Sequence, residues 1–289
     1  MQLKDNILKI YLLQGVSWFM VAMPIIILFF QENGFSLTQI MTLQAIYSFS
    51  VAIFEIPSGY IADIFGRKKT IVASTILSFI GYLVLSLCSG FFAFSLAQIL
   101  IGLSGSLMSG SNSALLYDTL LQTENKELYT KVEGKNYAIG NFSEASAGIL
   151  GGFLAATSIF LPIYVQTSIL FLSIPISLTL IEPTVYKKEK IDRSISNIIS
   201  VVQFAIIDNV RLRWLIIYSS IMGVASLSMA WLTQPFFKEI QIPIIYFGIL
   251  WAGLNFSSGI TSFNSYKIEK KYKMHKILTV ITIFMTISF

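Results

Sequence analysis

The chain has 289 residues, of which 55% are apolar and only 12% charged, with a net charge of +5 and a mean hydropathy of +0.73. A soluble domain carries about 25% charged residues, so this composition excludes an ordinary soluble fold and requires lipid to cover part of the apolar surface. One cysteine, Cys88, excludes an internal disulfide.

A membrane helix needs roughly 20 mostly apolar residues. In chain order, eight stretches qualify: 8–30, 38–62, 70–89, 91–117, 136–158, 161–181, 213–237 and 242–265. A ninth begins near Ile277 and reaches Phe289 with too few residues to cross. The first stretch follows a mildly basic start, Lys4 and Lys9, and is too long for a signal-peptide core, so it is read as a retained span. The predicted class is an all-α polytopic membrane protein with eight complete transmembrane helices plus part of a ninth.

Loop charge orients these spans. With a cytoplasmic N-terminus, every lysine and arginine except Lys238 falls on the inside, in groups such as Arg67 to Lys69 and Lys267 to Lys276. Basic loops facing anionic lipid account for the positive charge without a nucleic-acid partner. Outside turns are short, such as Ser89-Gly90, whereas the inside connection after the sixth span is long and charged. The expected organisation is a six-helix bundle over 1–183, a cytoplasmic linker over 184–212 and an incomplete second bundle over 213–289. Within the linker, Ile195, Ile198, Ile199, Val202 and Ile206 recur at helical spacing. That pattern predicts an amphipathic helix lying on the inner membrane surface or packing between the bundles.

Between the second and third spans lies Gly59-Tyr60-Ile61-Ala62-Asp63-Ile64-Phe65-Gly66-Arg67-Lys68. Gly59 would let a neighbouring helix come close, and Gly66 would permit a bend that a side chain obstructs. Asp63 could accept hydrogen bonds at a helix N-terminus, where the dipole favours negative charge. Arg67 offers a fork for a carboxylate. In the fourth span Gly102, Ser106, Gly110 and Ala114 fall every fourth residue, a stripe that lets another helix pack closely in lipid.

Glu144 lies about two turns into the fifth span, between Gly140 and Gly148. An unpaired carboxylate there costs on the order of 2.5 kcal/mol or more. Such a group either faces a polar cavity, as a proton-coupling residue must, or stays protonated and bonds a neighbouring helix. Glu55, one turn before the loop motif and next to Pro57, reads as a structural hydrogen-bonding group. Gln14, Trp18, Gln44, Tyr47, Asn141, Trp231, Gln234 and Asn255 lie deep in the spans and are candidates for a shared central cavity.

The loop sequence resembles the G-x-x-x-D-x-x-G-R-[RK] motif of the major facilitator superfamily of transporters. Gly59, Asp63, Gly66, Arg67 and Lys68 match, while Ile64 replaces a frequent basic residue. Asp118 matches the place where the family often carries an acid facing the loop arginine, which implies an Arg67–Asp118 pair. Gln98 stands where many members have an arginine. Ala147-Gly148 replaces the Gly-Pro of the antiporter motif, although its double glycine is present as Gly151-Gly152.

The resemblance implies a secondary active transporter of a small organic solute, proton-coupled and working by alternating access around a midplane site, in the plasma membrane. Its partners would be the solute, protons and membrane lipid. The family fold has further spans, so the chain is expected to be a fragment or an early-stopped product, its missing C-terminal helices supplied by a longer reading frame or another chain. The alternative is a non-transporting remnant or a membrane assembly partner.

No phosphate loop of the G-x-x-x-x-G-K-[ST] type occurs, which argues against self-powered ATP hydrolysis. One histidine, His275, and one cysteine make no metal centre. No nucleophile–base arrangement stands out, so neither an enzyme nor a cofactor is expected.

Overall fold

A computed structural model describes residues 3, 5–184, 200 and 203–288. Among these the chain is helical, without strands. The helices are α1 (Asp5–Ser17), α2 (Ile26–Glu32), α3 (Leu37–Phe65), α4 (Arg67–Leu87), α5 (Phe91–Gln122), α6 (Tyr129–Thr157), α7 (Leu161–Leu178), α8 (Val210–Glu239), α9 (Ile244–Lys271) and α10 (Met274–Ser288). Six are long and apolar enough to cross a membrane: α3 to α5 and α7 to α9. Most of the amphipathic pattern expected in the linker lies outside the described residues. Of its apolar positions Ile206 is described, in a short π-helix over Phe204–Asp208.

The stretch expected as one continuous first span is divided. α1 ends at Ser17, a 3-10 turn occupies Met23–Ile25, and α2 follows. Pro24 has no N–H to donate and its ring crowds the preceding turn, which disfavours a continuous helix here, although α3, α7 and α8 accommodate Pro57, Pro175 and Pro235 in their interiors. Broken backbone at this depth is tolerated only when protein satisfies it. Here Gln234 of α8 does so: its Oε1 accepts from Ile27 N at 3.0 Å and its Nε2 donates to Met23 O at 2.9 Å. From the other side, α6 packs so closely that a Cβ on Gly151 would overlap the Val21 carbonyl.

Two apolar clusters hold α1 to α7 together. One is aromatic: Phe29 stacks on Phe94 with centroids 5.8 Å apart, and Phe30, Phe35 and Phe160 meet the same pair. The other gathers Ile10, Leu13, Ile71, Leu115, Leu116, Leu120 and Leu180 near the opposite helix ends. Because lipid supplies no hydrophobic drive between helices, polar contacts join them as well. Ser74 and Ser104 exchange hydroxyl-to-carbonyl bonds between α4 and α5 at 2.8 and 2.9 Å. The buried Asn6 makes a reciprocal pair with the backbone of Ile181, which fastens α1 to the segment after α7.

The second half docks on the first through a seam of small residues between α6 and α9. Gly148 and Gly152 meet Gly248, Gly134 meets Ser262 and Ser265, and Phe142 lies against Gly259. The fourth-span stripe behaves unevenly. A Cβ on Gly102 would lie 2.8 Å from Ser50 Cβ on α3, and Ser106 donates to Val51 O at 3.0 Å, but nothing lies within 4 Å of a Cβ at Gly110.

Candidate functional site: a central cavity and a helix-end charge cluster

The charge cluster is built where α3 turns into α4. Gly66 sits at φ +101° and ψ +146°, a conformation nearly confined to glycine, and ends α3 while opening α4. The anion at the N-terminus of α4 is Glu182, not Asp63 as the spacing suggests. Its two oxygens accept from Arg67 N at 2.9 Å and Lys68 N at 2.8 Å, which satisfies two amides that have no partner within the helix. Glu182 lies in the segment after α7, too far along the chain for local spacing to reveal it.

Asp63 instead pairs with the Arg67 side chain, Nη1 to Oδ1 at 3.1 Å. Arg67 Nε donates to Asp118 Oδ2 at 2.8 Å, with both side chains mostly buried. Gly59 has no neighbour within 4 Å of a Cβ among the described residues, so close helix approach is not its role in this structure. Lys68 contributes its backbone N–H, and Glu55 accepts from Ser109 Oγ on α5 at 2.7 Å.

A double-mutant cycle on Arg67 and Asp118 should therefore show coupling. Arg67→Gln and Asp118→Asn each remove a charge-assisted bond, and residues in one ion-pair network couple by about 0.5–3 kcal/mol. Denaturant midpoints of the two single variants and the double variant measure it. Additive losses would mean that the pair has no energetic reality.

The cavity lies among α1, α3, α5 and α6 and measures about 390 Å³. Gln14 enters from α1 and accepts from Asn112 Nδ2 of α5 at 3.3 Å. Trp18, just past the end of α1, meets Tyr137 of α6 edge-on with centroids 6.4 Å apart. Gly140 makes room for this arrangement, because a Cβ there would lie 2.8 Å from Gln14 Nε2 and 3.0 Å from the Trp18 ring. Tyr47 of α3 faces both this cavity and a smaller one of about 60 Å³, which Gln44 and Trp231 also line.

Glu144 is only 6% exposed and borders the larger cavity. Trp251 Nε1 of α9 donates to its Oε1 at 2.9 Å. One turn before Glu144, α6 approaches Gln14 and Trp18 at Gly140, and one turn after it approaches α9 at Gly148. Glu144 thus stands between the first-half cavity and the second half of the chain.

Three of the expected residues do not line these two cavities. Gln234 is buried, but its amide is spent on the break between α1 and α2. Asn141 donates to Tyr137 O and Asn255 to Trp251 O, each back onto its own helix, and neither lines the two cavities, although the Asn255 side chain also stands against the Glu144 carboxyl. Conversely, Glu133, Asn112 and Asn136 line the larger cavity without having been singled out. Hydropathy places Glu133 in an inner loop because the apolar stretch begins at 136, yet α6 starts at Tyr129 and carries Glu133 on its first two turns.

With this geometry in hand, comparison with known proteins is specific. The sequence profile described as "Major Facilitator Superfamily" matches residues 8–289. A Bacillus subtilis (strain 168) protein named "Uncharacterized MFS-type transporter YxaM" is 25% identical over 264 residues, covering 89% of this chain and 64% of the relative. A Buchnera aphidicola subsp. Schizaphis graminum protein named "Uncharacterized transporter" is 33% identical over 116 residues, 40% of this chain and 29% of the relative. The chain therefore spans less than two-thirds of the length of either.

Proposed function

The chain belongs to the major facilitator superfamily, and on that premise we propose that it acts as a proton-coupled secondary transporter of a small organic solute. It is an integral membrane protein, and we place it in the plasma membrane with a cytoplasmic N-terminus, in keeping with the near-complete inside bias of lysine and arginine. In this reading α1 and α2 together make one crossing and α6 another, giving eight crossings with α10 beginning a ninth. The first six crossings and the helices from α8 onward form two bundles that rock about a site near the midplane.

The observation that carries the proposal is the setting of Glu144. It is a buried carboxyl that borders a cavity in one bundle and takes its hydrogen bond from Trp251 in the other. Rocking α9 against α6 makes or breaks that bond and changes the access of water. The hold of the carboxyl on its proton then changes in step with the conformation. Coupling needs this link between protonation and bundle position.

Proteoliposomes loaded with a pH-sensitive dye, screened against a library of small organic solutes, test it. A solute that moves protons through the wild type should move none through Glu144→Gln, which mimics the protonated acid and cannot cycle. Exchange of the same labelled solute across the membrane should persist in the variant. Unchanged proton flux in Glu144→Gln would make the residue a structural link between helices.

A second reading, as a membrane assembly partner that does not itself transport, draws on α8: no residue in its most apolar 18-residue window is buried. Co-purification of further helices bound to α8, with no solute flux, would favour it.

A further inference from the structure

Among the described residues, the cavity carries three buried acceptor atoms that meet no donor. Glu133 Oε1 accepts from Ser113 Oγ at 2.6 Å, but its Oε2 is buried and has no partner. Asn112 spends its Nδ2 on Gln14, which leaves its Oδ1 buried and unpaired. Asn136 Oδ1 is likewise buried and unpaired. The two asparagines are 7% and 2% exposed, and all three residues line the same cavity.

An unpaired buried polar atom costs about 1–3 kcal/mol, and more when charged. Three acceptors in one cavity point to a ligand that brings donors. Among the described lining residues none is basic, and two, Glu133 and Glu144, are acidic. The field inside therefore favours a positive charge. Trp18 and Tyr137 add aromatic rings to the wall, whose negative faces attract cations. A volume of about 390 Å³ falls within the roughly 300–1,000 Å³ of small-molecule sites. A bare metal ion, by contrast, would need a tight shell of some six oxygens.

We propose that the solute is an organic cation bearing N–H donors, an ammonium, held by the Glu133 carboxylate together with the amide oxygens of Asn112 and Asn136 and flanked by Trp18 and Tyr137. The proposal rests on the transporter reading and names its substrate class. Glu133 supplies the charge that selects the cation, and the asparagines take its remaining N–H groups. Glu144, beyond them on α6, is left to exchange the proton.

Binding to the purified chain in detergent micelles tests this without any gradient. The probes are 2-phenylethylammonium, neutral 2-phenylethanol and anionic 3-phenylpropionate, followed by calorimetry. The ammonium should bind saturably and at least about tenfold more tightly than either analogue, a difference of roughly 1.4 kcal/mol. Glu133→Gln should weaken it by about tenfold or more, and Glu133→Asp should recover part of the loss. If Glu133→Gln does not fold, Asn136→Ser, expected to weaken binding several-fold, and the charge preference of the wild type decide the matter.

Equal binding of the three probes, no binding of the ammonium, or full affinity in Glu133→Gln would overturn the proposal. So would a Glu133-dependent heat from NaCl alone, which would assign a metal-ion site instead. A protein that binds the ammonium yet moves no protons keeps this inference and loses the coupling. One that moves protons with a neutral or anionic solute while ignoring the ammonium does the reverse.

Discussion

Gly248→Leu is expected to separate α9 from α6 and to cost more stability than an ordinary core substitution. A Cβ at Gly248 would overlap the Gly148 carbonyl oxygen and lie 3.0 Å from Gly152 N. Added methylenes in a packed interior cost about 1–3 kcal/mol when side chains can shift to absorb them. Here the obstacle is the backbone of the facing helix, which cannot rotate away, so the loss should reach about 3 kcal/mol or more. Trp251, one turn from Gly248 and bonded to Glu144, should report the change through its emission as the indole loses its partner.

Gly253→Leu is the control on the same helix, because among the described residues nothing lies within 4 Å of a Cβ there. Leucine is a better helix former than glycine by up to about 1 kcal/mol, so that variant should be neutral or slightly stabilised. Denaturant midpoints that fall equally for both variants would show that the seam does not hold the halves together.

Gly66→Ala should produce the second large loss, at the charge cluster. Holding a residue with a side chain in this strained region costs about 1–3 kcal/mol. A Cβ would also lie 3.0 Å from Glu182 Oε2 and 3.1 Å from its carboxyl carbon. The carboxylate must retreat from Arg67 N and Lys68 N, giving up two hydrogen bonds to a charged acceptor, each worth about 1.5–3 kcal/mol.

Gly34→Ala separates the two causes. Gly34 has φ +85° but nothing within 4 Å of a Cβ, so alanine there meets the conformational strain alone. The excess loss in Gly66→Ala over Gly34→Ala should shrink when Glu182 is first replaced by alanine, leaving the extra strain of the extended backbone at Gly66. An equal loss at the two glycines in the wild-type background would mean that the Glu182 cap contributes nothing.

The sequence by itself determined the class of molecule, an integral membrane protein of apolar helices. Transfer into lipid is a sum over a local window, so runs of about 20 apolar residues and the basic loops between them can be read without coordinates. Even there, the window missed what proline does at Pro24 and where α6 begins, because helix ends outside the hydrocarbon leave no hydropathy signal. Arg67 and Asp118 could be singled out because both match positions of the family's loop motif and its facing acid, and they stand 2.8 Å apart.

Tertiary structure alone decided which group satisfies which. Glu182, not the nearby Asp63, caps α4, and Gln234 serves the break between α1 and α2 instead of a cavity. Gly148 turns out to matter through Gly248, about a hundred residues away along the chain. Glu133, Asn112 and Asn136 become a set only when α5 and α6 bring them to one cavity. The reason is common to all of these. A hydrogen-bond partner or a close approach is a relation between two points in space, and nothing in the periodicity of one segment encodes the other.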